Sequence, residues 1–182
     1  MGSWENNVYV VVCLQTKRSL IVDAAAEAAT IIDLAAGSTP QAILTTHGHV
    51  DHIGAAADVA DHFSIPILLH GADADGRLGA EPLQPGPVEI GDVVATVLST
   101  PGHTPGSVCV GLPGIVLSGD TLFPGGPGAT GGPGSSFAEI VASIESVLFT
   151  LPGETLVAPG HGLDTTIGDE APQLGEWVAR GW

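Results

Sequence analysis

The stretch Thr45-Thr46-His47-Gly48-His49-Val50-Asp51-His52 decides how this chain is read. Four side chains that bind metals well, His47, His49, Asp51 and His52, fall within six residues. They lie between a predicted strand, residues 41–45, and a predicted helix, residues 53–62. Residues two apart in an extended segment point the same way, so His47 and His49 can reach one ion together. Asp51 and His52 sit where the chain turns into the helix and can face a second point nearby. Gly48 adds no side chain and lets the backbone pass close to a metal. The plainer alternative is a polar loop whose histidines cap the helix. Packing unpaired polar groups this tightly costs stability unless something binds them, so the window reads as a metal site. Imidazole and carboxylate together suit zinc or iron better than magnesium or calcium.

Outward from this loop, residues 8–14 and 20–23 are apolar and β-branched around a polar turn, which predicts a hairpin. Residues 24–36 are Ala-rich and predict a helix closed by Gly37, ahead of Pro40. A short strand is expected at 65–70 and a loop at 71–84. Residues 88–90, 93–99, 107–112 and 115–118 read as successive antiparallel strands. The Gly/Pro-rich residues 124–134 lack apolar periodicity and read as a mobile or irregular segment. Apolar residues at Phe137, Ile140, Val141, Ile144, Val147 and Leu148 have helical spacing. A last strand at 155–158 and a last helix at 170–180 complete the chain. The expected fold is α/β, two packed sheets with helices outside, a four-layer α/β/β/α sandwich.

A length of 182 residues is most simply one domain, spanning 1–182, with room for a real core. Twenty acidic residues face four basic ones, Lys17, Arg18, Arg77 and Arg180, for a net charge of -16. Such a charge repels polyanions, so the expected partner is a small-molecule substrate rather than a nucleic acid. No apolar run reaches the ~18 residues of a membrane helix, and the first residues lack a secretory pattern. The expectation is a cytoplasmic protein with no membrane partner. Cys13 and Cys109 read as core strand residues, not as a disulfide framework.

Two tripeptides repeat a pattern. Pro101-Gly102-His103 and Pro159-Gly160-His161 each follow a strand, and each presents a histidine at a sharp turn. Between them, Ser118-Gly119-Asp120-Thr121 offers a carboxylate at the end of a third strand. Loops on a rigid scaffold are where binding residues gather, and four strand ends would converge on one spot. His62 and His70 lie outside such turns and read as structural.

The string His-x-His-x-Asp-His, a later Pro-Gly-His, Gly-Asp-Thr-Leu and a final Pro-Gly-His-Gly resembles the metallo-β-lactamase-fold superfamily, in its glyoxalase II-like branch. The resemblance implies that His47, His49 and His103 bind one metal. It implies that Asp51, His52 and His161 bind a second, with Asp120 bridging and Asp23 behind the ligands as an orienting carboxylate. The implied cofactors are two divalent ions, zinc first, with iron or manganese as alternatives. Two such ions about 3.5 to 4 Å apart can share a water and lower its pKa toward ~7. The expected reaction is attack of that hydroxide on a thioester or related acyl carbonyl, with Asp51 or Asp120 taking the proton as catalytic groups.

The chain departs from glyoxalase II where that family binds glutathione with basic residues, since Thr121 to Gly128 contains no Lys or Arg. It also carries Asp23-Ala24-Ala25 where that family is similar but has Asp-Pro-Gly. Many true β-lactamases resemble the pattern but carry Cys in place of Asp120, together with a Lys for the drug's carboxylate. The rival reading is the persulfide dioxygenase branch, which resembles this chain in the same motifs. It uses one iron, which would here sit on His47, His103 and Asp120.

Overall fold

A computed structural model describes residues 1–76 and 78–181. Arg77, counted above among the basic residues, lies outside them. Two sheets carry the fold. The first has the order β1-β2-β3-β4-β5, from Tyr9–Val12, Arg18–Val22, Thr39–Leu44, Ile67–His70 and Glu81–Leu83. Strands β1 and β2 form the expected antiparallel hairpin, and β2 through β5 then run parallel. The second sheet contains β6 (Gly86–Ile90), β7 (Val93–Ser99), β8 (Val108–Leu112), β9 (Ile115–Gly119), β12 (Leu156–Pro159) and β13 (Thr165–Thr166), in the order β13-β12-β9-β8-β7-β6. A small hairpin of β10 (Leu122–Phe123) and β11 (Gly126–Pro127) stands apart.

Alternation along the strands builds the layers, because successive side chains point to opposite faces. Leu20, Val22, Ala42 and Leu44 face inward and pack with Val97, Val108, Val110, Leu117 and Ala158 of the second sheet. Their neighbours Ile21 and Ile43 face outward against helices α1 (Ala28–Ala35) and α3 (Ala56–Phe63). Cys109, Val116 and Val157 face the other outside, against α4 (Phe137–Ser146) and α6 (Leu174–Arg180) through Ile140, Ile144 and Trp177. The order is therefore helix, sheet, sheet, helix, as expected. Both cysteines are buried and free; Cys109 lies within β8, and Cys13 just follows β1.

Several boundaries differ from the sequence reading for local reasons. The helix expected at 53–62 is two pieces, α2 (Val50–Ile53) and α3, broken where the Ala55 N–H bonds to the Ala24 carbonyl. The loop at 71–84 contains the edge strand β5, held parallel to β4 although Pro82 lies within it. Part of the irregular 124–134 segment is the β10–β11 hairpin. The last helix is divided into α5 (Ile167–Glu170), a 3-10 turn at Ala171–Gln173 and α6. Among the described residues no helix is long and apolar enough to cross a membrane.

Candidate metal centre

The loops that leave β3, β7, β9 and β12 end on one spot. The first of them turns directly into α2, whose N-cap is His49, so Asp51 and His52 ride on its opening turn. The structure brings together all seven residues expected there, as overlapping groups. His47, His49 and His103 form one triad, and Asp51, His52 and His161 form another. Asp120 stands with His47 and His52 between them. His62 and His70 belong to neither: His62 lies against Phe63, and His70 accepts the Ala72 N–H.

In the first triad, His49 Nδ1 lies 3.0 Å from His47 Nε2 and 2.9 Å from His103 Nε2. In the second, His161 Nε2 lies 3.2 Å from both His52 Nε2 and Asp51 Oδ2. Asp120 spans the two, with Oδ1 3.3 Å from His52 Nε2 and Oδ2 3.5 Å from His103 Nε2. Oδ2 is also 3.7 Å from His161 Nε2.

What lies behind the imidazoles explains their orientation. His52 Nδ1 is 2.9 Å from Asp23 Oδ2, His103 Nδ1 is 2.7 Å from the Ala129 carbonyl, and His161 Nδ1 is 2.7 Å from the Trp4 carbonyl. His47 Nδ1 meets the Thr46 hydroxyl at 3.1 Å, and that hydroxyl donates to Asp23 Oδ2 at 2.8 Å. A ring that donates its Nδ1–H outward turns an Nε2 lone pair inward. Several lone pairs and carboxylate oxygens then face one another at about hydrogen-bond distance with too few protons to pair them all. Among the described residues, Asp120 Oδ1 is buried without a hydrogen-bond partner, despite its closeness to His52. An orphaned oxygen among converging imidazoles is the donor set of a divalent cation site, and these residues fit one.

The protonation preferences of His47 and His103 agree with that arrangement. Burial, then the neighbouring imidazoles, pushes His47 well below the usual imidazole range, and burial also lowers His103. Both are favoured as neutral rings, the form that can bind a cation. Burial opposes charge on His52, yet the carboxylates of Asp23 and Asp120 lift it to about 10. Burial would raise Asp120, but His52, His103 and His161 hold it below its ordinary value. The middle of the site thus favours a positive charge between fixed anions.

Three contributors carried no sequence signal. Asn6 is buried and donates from Nδ2 to Asp51 Oδ2 at 3.1 Å. Trp4 contributes only a backbone carbonyl. Asp73 lies in the stretch read as a loop and bonds to both histidine loops. The two Pro-Gly-His turns also need their glycines. Gly102 adopts a φ of +139°, and a Cβ there would run into the backbone of Ile140. A Cβ on Gly160 would overlap Asp120 Oδ1 and the His52 ring.

The family model described as Metallo-beta-lactamase superfamily matches residues 1–161. The chain belongs to that superfamily. Superfamily members similar to it include the Probable metallo-hydrolase YqgX of Bacillus subtilis, 40% identical over 75% of each chain. A hydroxyacylglutathione hydrolase of Anaeromyxobacter dehalogenans is 38% identical over 74% of this chain and 53% of its own length. Among solved structures, BLEG-1 B3 metallo-beta-lactamase has a TM-score of 0.85 at 35% identity over 94% of each chain. ETHE1 from Myxococcus xanthus has a TM-score of 0.85 at 28% identity, covering 93% of this chain and 78% of its own. TTHA1623 in a di-iron-bound form has a TM-score of 0.84 at 34% identity over 94% of each chain. Members of this superfamily are typically metal-dependent hydrolases.

Proposed function

We propose that this protein is a thioester hydrolase of the glyoxalase II type, working with two divalent cations. The reading stands on Asp120, whose carboxylate lies 3.5 Å from His103 of one ligand set and 3.3 and 3.7 Å from His52 and His161 of the other. His47, His49 and His103 would hold one cation; Asp51, His52 and His161 would hold the other, with Asp120 between them. When bound, such a pair supplies Lewis acidity toward a carbonyl and lowers the pKa of water toward ~7. The protein's own part is to fix those ligands, and to offer the carboxylates of Asp51 and Asp120 as proton acceptors. Zinc is the first candidate. The likeness to a di-iron-bound relative keeps iron in view.

A groove of about 210 Å³ adjoins the ligands, lined by Phe123 to Ala129. The Phe123 ring lies 6.4 Å from that of His161, and the Ala129 carbonyl holds His103. The lining carries no charged side chain, which suits an uncharged acyl group and a thiol other than glutathione. The seven residues of the cluster include no lysine or tyrosine to act as general acid, and a thiolate needs little such help to leave.

A second reading, the one-iron persulfide dioxygenase, is supported by the likeness to ETHE1. One experiment separates the two. Purified protein is analysed for metal, then assayed for thiol release from a panel of acyl thioesters and for oxygen uptake with a persulfide. Two metals per chain and thiol release support the proposal. One iron with oxygen uptake and no thiol release overturns it, and turnover of a β-lactam alone would shift the substrate class.

A further inference from the structure

Asp73 follows β4, and its carboxylate touches both loops that carry the first triad. Its Oδ2 accepts the Gly48 N–H at 2.9 Å and the Thr104 hydroxyl at 2.6 Å. Its Oδ1 accepts the Gly106 N–H at 2.8 Å. Gly48 separates His47 from His49, and Thr104 and Gly106 follow His103. The fit is close: a Cβ on Gly48 would come within 2.9 Å of the Asp73 carbonyl oxygen, and one on Gly106 within 2.6 Å of the Asp73 carboxyl carbon. The second triad is held by other groups. Asp23 holds His52, the Trp4 carbonyl holds His161, and Asn6 holds Asp51.

We infer that Asp73 is a positioning residue for one cation site of the pair: it clamps the His47–His49 loop to the His103 loop and so sets the affinity of the first triad. The inference rests on the metal-centre reading above and goes beyond it by separating the two sites. A carboxylate that accepts several hydrogen bonds makes charge-assisted, short contacts. Its three donors span two segments 54 residues apart in sequence at their histidines, His49 and His103. With the clamp in place the three imidazole nitrogens are arranged before a cation arrives. Without it, the cation must itself order two loops, and affinity falls.

The test is a titration of the metal-stripped full chain with Zn2+ against a chromophoric chelator, in two backgrounds. His161→Ala disables the second triad, and His49→Ala disables the first. In the His161→Ala background, Asp73→Asn is expected to weaken Zn2+ binding by roughly 10- to 100-fold, the range for lost outer partners of metal ligands. In the His49→Ala background it leaves Zn2+ affinity unchanged. Thr104→Val removes one of the three bonds and gives a smaller loss in the first background only. It carries the test if circular dichroism shows that Asp73→Asn does not fold. Equal losses in both backgrounds, or none in the first, overturn the inference while a wild type that binds two ions leaves the metal centre standing. A wild type that takes up no Zn2+ overturns the metal centre itself, and the clamp with it.

Discussion

His47, His49 and His103 come from two loops and include an exposed ring, His49, whereas His52 of the other triad is fully buried. The first triad leans on the Ala129 carbonyl and the Asp73 clamp. The second leans on the first residues of the chain, through the Trp4 carbonyl and Asn6. Asn7 and Tyr9 secure that contact by donating to the Pro159 carbonyl at 3.0 and 2.7 Å. Two carboxylates are common to both triads. Asp120 meets them from the front, and Asp23 from behind, directly at His52 and through Thr46 at His47. Sensitivity to mutation should therefore follow these supports rather than distance from the centre.

The largest effect is expected at Asp120. Asp120→Ala removes the group shared at the front, lowers bound metal, and reduces turnover by roughly 10²- to 10⁴-fold as a proton acceptor is lost. Thiol-release kinetics with elemental analysis check it, and wild-type turnover in that variant removes Asp120 from the site. Asp23→Ala comes next and should weaken both triads together. It also leaves the buried Thr46 N–H and His52 Nδ1–H unpaired, at about 1–3 kcal/mol per group. Thermal melts and Zn2+ titration in the two single-triad backgrounds read both consequences, and a loss confined to one triad contradicts the shared role.

Gly160→Ala acts on both triads at once. Its methyl group would press on Asp120 and His52 together, so metal binding should fall while the outer helices keep their fold. Chelator competition and circular dichroism would read this; unchanged affinity would mean that the turn can shift aside. Asn6→Ala should act on the second triad alone, by roughly tenfold, the lower end for outer partners. A loss in the His161→Ala background instead would reverse the assignment of supports. The smallest effect is expected at His62 and His70. Alanine at either should leave metal content per chain unchanged by elemental analysis.

The pattern of the candidate metal centre was legible because metal ligation would constrain residue type at fixed places. His47, His49, Asp51 and His52 are local, and each later ligand is marked by a turn that ends a strand. The layers were legible from alternation in runs such as Leu20-Ile21-Val22. Asp73 was not, since an aspartate among Gly and Asp residues gains its meaning only when two remote loops close on it. The Trp4 contribution is a carbonyl, which residue type does not encode. Strands β5 and β13 escaped notice because they are short edge strands, stabilised by pairing with a neighbour rather than by their own composition. The break between α2 and α3 depends on a tertiary hydrogen bond to Ala24, beyond the reach of periodicity.

Two ligand sets joined by one carboxylate are proposed to hold two cations. Anomalous-scattering maps from crystals of the metal-loaded protein test this proposal most directly, because they count the ions and identify the element. Two peaks are expected, one among His47, His49 and His103, the other among Asp51, His52 and His161, with Asp120 between them. A single iron peak on His47, His103 and Asp120, or no peak among these residues, would contradict it.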